Sequence, residues 1–193
     1  MKLSKLFALM KQRKRIVVMQ GETAQWVGDG NCLYPIYNLP KLTERTMQTL
    51  LDLSADAWDK FTFEEHDVLS VSEEDFEEGQ TDLRPLDFIF HWKGGTYFPL
   101  TDNRKVFFIQ TKYLAPFADI DLLSYSYREK GKIIAVNEGL LLSAFIAPVD
   151  MSRDTLLHET LYKLYDLTKR QKTIELKEQL DAAEKKRRKK NDT

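Results

Sequence analysis

The chain has 193 residues, 42% of them apolar and 31% charged, with a formal net charge of −1; this composition suits one compact domain with appendages and excludes a fibrous or wholly disordered chain. Cys32 is the single cysteine, which excludes an intrachain disulfide and a cysteine-rich zinc site, and no apolar run reaches the roughly 18 to 20 residues of a membrane helix. The small net charge conceals a segregation: residues 1–15 carry six Lys and Arg and no acid, residues 52–87 carry thirteen Asp and Glu against Lys60 and Arg84, and residues 169–190 carry ten basic against four acidic side chains.

At the N-terminus, Leu3, Leu6, Phe7 and Met10 recur at helical spacing and predict a short amphipathic helix. Its apolar stretch is interrupted by Lys5 and ends in basic residues with no small-residue cleavage site after them, the wrong order for a secretory peptide, so the chain is read as cytoplasmic. From Arg15 the period changes. RIVVM, AQWV and CLYPIY, separated by turn formers at Gly21 and at Gly28-Asp29-Gly30-Asn31, predict a small antiparallel meander. LTERTMQTLLDL then predicts a helix capped by Thr43, and SADAWDKF a further helical turn capped by Ser54 or Asp56. Residues 1–69 form this first region. Residues 70–84, SVSEEDFEEGQTDLR, are acidic with one aromatic and are expected to be an exposed, mobile loop.

Residues 85–151 are richer in strand signals. LDFIFHW, a turn at KGG and TYFPL predict a hairpin, VFFIQ a further strand, and TKYLAPFADID a loop or short helix. LLSYSYRE alternates like a half-exposed strand, and IIAVNE and GLLLSAFIAPV follow, giving about five strands between Leu86 and Val149. Residues 152–193 contain no Gly or Pro before Lys190; Leu157, Leu161, Leu164 and Tyr165 form a stripe, and the segment is expected to be a long helix with a basic tail. The expected fold class is thus α+β: an N-terminal short helix and β-meander, a central antiparallel-rich sheet, and a long C-terminal helix.

One local pattern bears on chemistry. GDGNCLY resembles the nucleophile motif of the ovarian tumour family of deubiquitinating cysteine proteases, through Asp29, Gly30, Asn31, Cys32, Leu33 and Tyr34 in order. The resemblance implies Cys32 as nucleophile at a helix start, His91 (followed by Trp92) as base, and Asp29 near the oxyanion site. The residues themselves point elsewhere. Pro35 biases Tyr34 away from helical conformation, and Asn38-Leu39-Pro40 ends any helix at once. A turn at residues 28–31, with Cys32 opening the returning strand as a small apolar residue, accounts for the same stretch.

Other candidates are weaker. Gly94 and Gly95 lack phosphate-loop spacing and read as a hairpin turn. Glu73, Glu74, Asp75, Glu77 and Glu78 lack calcium-loop spacing, and His66 with Glu64, Glu65 and Asp67 reads as a surface histidine, so no metal or cofactor is expected. Lys185, Lys186, Arg187, Arg188, Lys189 and Lys190 form the strongest electrostatic feature. They suit sequence-independent contact with nucleic acid by counterion release, or a solubilising helix end.

The combination of WVGDGNCLYPIYNLP, a Leu-rich helix, IIAVNEGLLLSAFIAP and a charged helical tail is similar, over most of the chain, to small proteins carried by phages and prophages. That resemblance implies no particular activity. The reading taken is a non-enzymatic accessory protein that binds a protein partner or associates with itself, with no membrane partner and a tail able to touch nucleic acid. The alternatives are a cysteine hydrolase using Cys32 and His91, and a structural or assembly component.

Overall fold

The computed structural model describes residues 1–151 and, beyond them, positions 157, 159, 160, 162–167, 169, 170, 173, 174 and 177. Residues 1–149 form one compact unit and residues 150–193 a second. In the second unit the described positions from 157 to 177 are helical, with Asp166 and Arg170 ion-paired at 2.9 Å one turn apart. The expected helix over 152–190 lies mostly outside the described residues, and Lys185 to Lys190 lie there entirely.

The first unit opens with α1 (Leu3–Arg13), which ends where Lys14 turns left-handed, φ 52°. Its inward side carries Leu6, Leu9 and Met10, while Leu3, expected in the stripe, is exposed. Next come β1 (Arg15–Gln20), β2 (Gln25–Gly28) and β3 (Cys32–Ile36), an antiparallel meander as expected. Then follow α2 (Glu44–Leu50) and α3 (Ala55–Trp58). Thr43 caps α2 in a reciprocal capping box with Thr46, satisfying backbone donors that the helix cannot bond itself. These helices form a crossover that lets β4 (Thr62–His66) pair parallel to β1.

The remaining elements are β5 (Thr81–Pro85), β6 (Phe90–Trp92), β7 (Gly95–Thr101), β8 (Val106–Gln110), a 3-10 helix (Thr111–Phe117), β9 (Leu123–Arg128), β10 (Ile133–Glu138) and β11 (Leu141–Ile146). All eleven strands belong to one mixed sheet in the order β4-β1-β2-β3-β11-β10-β9-β5-β7-β6, with β8 on β7. Residues 86–149 thus hold six strands rather than five, and the meander joins them through Cys32 opposite Ile146 and Leu33 opposite Phe145. That pairing ends at Leu33, so Pro35, which cannot donate, sits where β3 has β2 on one side only. Val149 N donates to Phe108 O at 2.7 Å, bringing β8 back to the chain that leaves β11 and curling the sheet.

One face of the sheet packs on α1 and the 3-10 helix, around Leu6, Met10, Ile16, Tyr34, Phe117 and Ile146. The other face carries Trp26 stacked on Phe145, centroids 4.7 Å apart, with Ala135 and Leu142. The acidic segment covers this second face. Trp26 Nε1 donates to the Glu73 carboxylate, which also accepts from Glu22 N at 2.6 Å and Thr23 N at 2.9 Å. Asp75 Oδ1 accepts from Leu142 N at 2.7 Å.

Arg128 is the clamp. It is 1% exposed, although its strand was expected to be half-exposed. Its guanidinium donates to the carbonyls of Ser72 at 2.8 Å and Glu74 at 2.7 Å, and it lies 3.8 Å from Glu77 and 5.3 Å from the Phe145 ring. Burial pulls its pKa below the ordinary arginine value, and Glu77, Asp75 and Glu74 act against that. Most of residues 70–84 are exposed, as expected, while residues 72–77 are tied to the sheet at the points just named. A buried cation must be met by oxygens, and residues 72–77 supply them. The end of the segment is itself β5.

Replacing Arg128 with Met keeps the volume and removes the donors, leaving the carbonyls of Ser72 and Glu74 without this partner. The expected cost is roughly 3 kcal/mol in denaturant unfolding. Amide exchange across residues 72–77 should rise more than across β10. Glu78→Gln is expected to change neither.

Candidate functional site

The stretch GDGN forms the turn between β2 and β3, and each residue has a reason to be there. Gly28 passes so close to the Cys32 carbonyl that a Cβ would collide with backbone. Gly30 has φ +88°, a conformation costly for any other residue. Asp29 folds its side chain back, and Oδ1 accepts from Asn31 N at 2.9 Å, closing the turn locally.

Asp29 is buried, and its carboxylate gathers groups from three elements besides its own turn. Cys32 Sγ, at the start of β3, donates to Oδ1 at 3.4 Å. Tyr113 in the 3-10 helix donates its hydroxyl to Oδ2 at 3.0 Å. Arg13, in the last turn of α1, brings Nε to 3.5 Å from Oδ2. Tyr34, on the same face of β3 as Cys32, donates to the Tyr113 carbonyl at 2.6 Å. Lys112 Nζ stands 4.9 Å from the Tyr113 ring centre.

The electrostatics follow from burial. Desolvation pushes the Cys32 thiol above its ordinary value of 9.0, and the neighbouring Asp29 charge pushes it further. Tyr34 and Tyr113 are raised chiefly by desolvation. Lys112 is lowered, first by desolvation and then by Arg13. A nucleophilic cysteine needs the opposite treatment: a helix start or a cation beside the sulfur, and access to substrate. Here the sulfur is a buried donor to an anion, at the head of a strand.

His91 lies on β6, opposite Thr96 of β7, and its Nδ1 shares a hydrogen bond with Thr96 Oγ1 at 2.9 Å on the exposed side. The structure thus brings Asp29 and Cys32 together and gives His91 a different partner. His66 is exposed on β4, 3.8 Å from Glu64, which also receives a two-pronged contact from Arg15 at 3.0 Å. Among the described residues, no cluster of three or more His, Cys, Asp or Glu is arranged to hold a metal ion. Arg13 and Tyr113 were not singled out from the sequence. The only signal for them was indirect: a buried Asp29 requires donors, but nothing local says which.

What this arrangement does is hold three elements on one anion while keeping a thiol protonated. Two outcomes follow. The Cys32 thiol should resist alkylation in the native state at pH 8 and react at once when the chain is unfolded, as read by mass spectrometry. Stability should also fall as pH rises above 9, because the unfolded thiol ionises there and the folded one does not. The folded state then binds more protons, and unfolding free energy drops by about 1.4 kcal/mol per pH unit for each such group, with the tyrosines adding above about pH 10. In Cys32→Ala the first part of that decline, between pH 9 and 10, should disappear from denaturant titrations.

Comparison of the chain with protein-family models, with curated proteins and with solved structures found no match.

Proposed function

We propose that the chain is a non-catalytic binding protein, of the accessory kind found among the small phage and prophage proteins that its sequence is similar to. It associates with a second copy through an apolar tip, and its basic C-terminal residues contact nucleic acid without reading sequence. One observation carries the first half: Leu122, Leu140 and Leu141 are 75%, 87% and 66% exposed at one end of the β9–β10–β11 sheet. They are neighbours, because Gly139 N donates to the Leu122 carbonyl at 3.0 Å. A concentrated apolar surface of this kind marks a contact site.

The occupant we take is a second copy of the chain. Asp119 is paired with Lys2, and Glu138 lies 3.8 Å from the α-amino group of Met1. Two of the nearby acids are thus answered within the chain, while Asp121, next to Leu122, is exposed. The same three leucines in each copy complement themselves around a two-fold axis, the commonest closed arrangement. No helix among the described residues is long and apolar enough to cross a membrane.

Light scattering should report a concentration-dependent dimer for the full chain and a monomer for Leu140→Ser combined with Leu141→Ser, at unchanged unfolding midpoint. A monomer at every concentration in both removes the self-association. The tail is read separately. Deleting residues 185–193 should weaken retention on DNA or RNA and lower the log–log salt slope by up to about 5; unchanged retention removes the nucleic-acid half.

A further inference from the structure

A second apolar site lies away from the leucine tip, between the loop of residues 37–43 and α2. Gln25, at the start of β2, builds its outer wall. Its Nε2 donates to the carbonyls of Leu39 and Pro40, both at 3.1 Å, and its Oε1 accepts from Leu42 N at 2.6 Å. Asn38 takes the left-handed conformation, φ 58°, that turns the loop over. The inner wall is α2, fixed by its capping box at Thr43 and by Trp58 Nε1 donating to Glu44 at 2.8 Å. The space between is an open groove of about 320 Å³, lined by Leu39, Pro40, Leu42, Thr49 and Leu50, with Arg45 as the one charged side chain in its lining.

Two features of this groove bear on what it could hold. Leu39 and Leu50 are exposed on its opposite walls, although Leu42 and Met47 beside them fill the core. Arg45 is exposed and makes no ion pair among the described residues, while Lys41, four positions before it, is matched by Glu65. An apolar slot with an unanswered cation in its lining is complementary to an apolar group carrying a nearby anion. Because Gln25 and the capping box already hold both walls, little ordering cost remains for binding.

We propose that this groove binds a short segment of an unlike partner protein, in which a bulky apolar side chain stands within a few residues of a carboxylate that pairs with Arg45. The proposal rests on the reading of the chain as a binding protein. The apolar side chain occupies the slot between Leu39 and Leu50, and the carboxylate supplies the counter-charge that Arg45 does not find among the described residues.

The test uses the full chain and a displayed library of random peptides as probe, with synthetic copies of enriched peptides measured by fluorescence polarisation. Enriched peptides should share Leu, Phe or Trp near Asp or Glu. Thr49→Arg, which fills the slot from an exposed position, should abolish their binding at unchanged unfolding midpoint. Arg45→Glu should weaken it about tenfold or more, and a selection repeated on that variant should enrich Lys or Arg in place of the acid. Enriched peptides without an acid, equal binding to Arg45→Glu, or indifference to Thr49→Arg each overturns the groove. Peptides lost in Leu140→Ser with Leu141→Ser but kept in Thr49→Arg place recognition at the tip, which sinks the groove and spares the binding reading. No enriched peptide, together with a chain that is monomeric throughout, sinks both.

Discussion

An ionised carboxylate removed from water costs several kcal/mol unless donors surround it, and the first unit of this protein is arranged around one. Asp29 is buried and accepts from its own turn, from the Cys32 thiol and from the Tyr113 hydroxyl, with Arg13 close by. Each donor belongs to a different part of the fold. The turn fixes where β2 ends and β3 begins, and that register places Cys32 opposite Ile146. The meander is thereby joined to the rest of the sheet. Arg13 and Tyr113 bring the end of α1 and the 3-10 helix over the same face. A single buried charge thus ties local turn chemistry to the packing of two helices on a sheet.

The opposite face repeats the logic with the sign reversed. Arg128 is a buried cation, and backbone carbonyls from residues 72 and 74 answer it. Glu73 and Asp75 then accept from Trp26 and from the backbone of β11. The segregation of charge along the sequence is therefore not mirrored by simple repulsion between like-charged regions. Glu73 and Asp75 of the 70–84 segment meet donors on the sheet they cover, and the carbonyls of Ser72 and Glu74 meet one arginine. This explains how a run rich in Glu and poor in apolar residues lies ordered on an aromatic pair. Its polar groups find partners there, and Leu69 and Val71 supply the apolar contact.

The parts of this fold that are legible in the sequence are those whose causes are local. Gly28, Asp29, Gly30 and Asn31 each carry a backbone preference, so the turn and the strand after it can be read without knowing their neighbours. Pro35 and Pro40 likewise argue for extended chain after Cys32, and β3 is extended. Thr43 announces α2 through the same kind of short-range bond. What could not be read depends on distant chain. Tyr113 is 84 positions from Asp29, and Arg128 is 56 from Ser72. Nothing in LLSYSYRE distinguishes an arginine that will be buried from one at a strand end. TFEEH hides as a strand because two adjacent glutamates break the alternation; Arg15 and Lys41 on other elements make that tolerable. The sheet's continuity across β3 and β11 rests on two residue pairs, which no periodicity encodes.

The same division between inside and outside bears on what the protein does. Around the turn at residues 28–31 the polar groups are turned inward and matched, the Cys32 thiol and Tyr113 hydroxyl to a carboxylate and the Tyr34 hydroxyl to a carbonyl, while His66 and His91 are exposed. The surface keeps apolar groups that the core does not use. Leu140 is the telling case. It follows Gly139, which has φ +62° in the tight connection from β10 to β11. Turn geometry favours small polar residues at such places, because they bond their own backbone and face water without penalty. A leucine there contributes nothing to the turn and exposes apolar area, and Leu141 beside it does the same. A fold that meets Asp29 and Arg128 with internal partners, yet leaves leucines in water where a polar residue would serve better, keeps apolar contact surface on its outside. In the binding reading those leucines are covered by the partner, and the cost of exposing them is a property of the free chain alone.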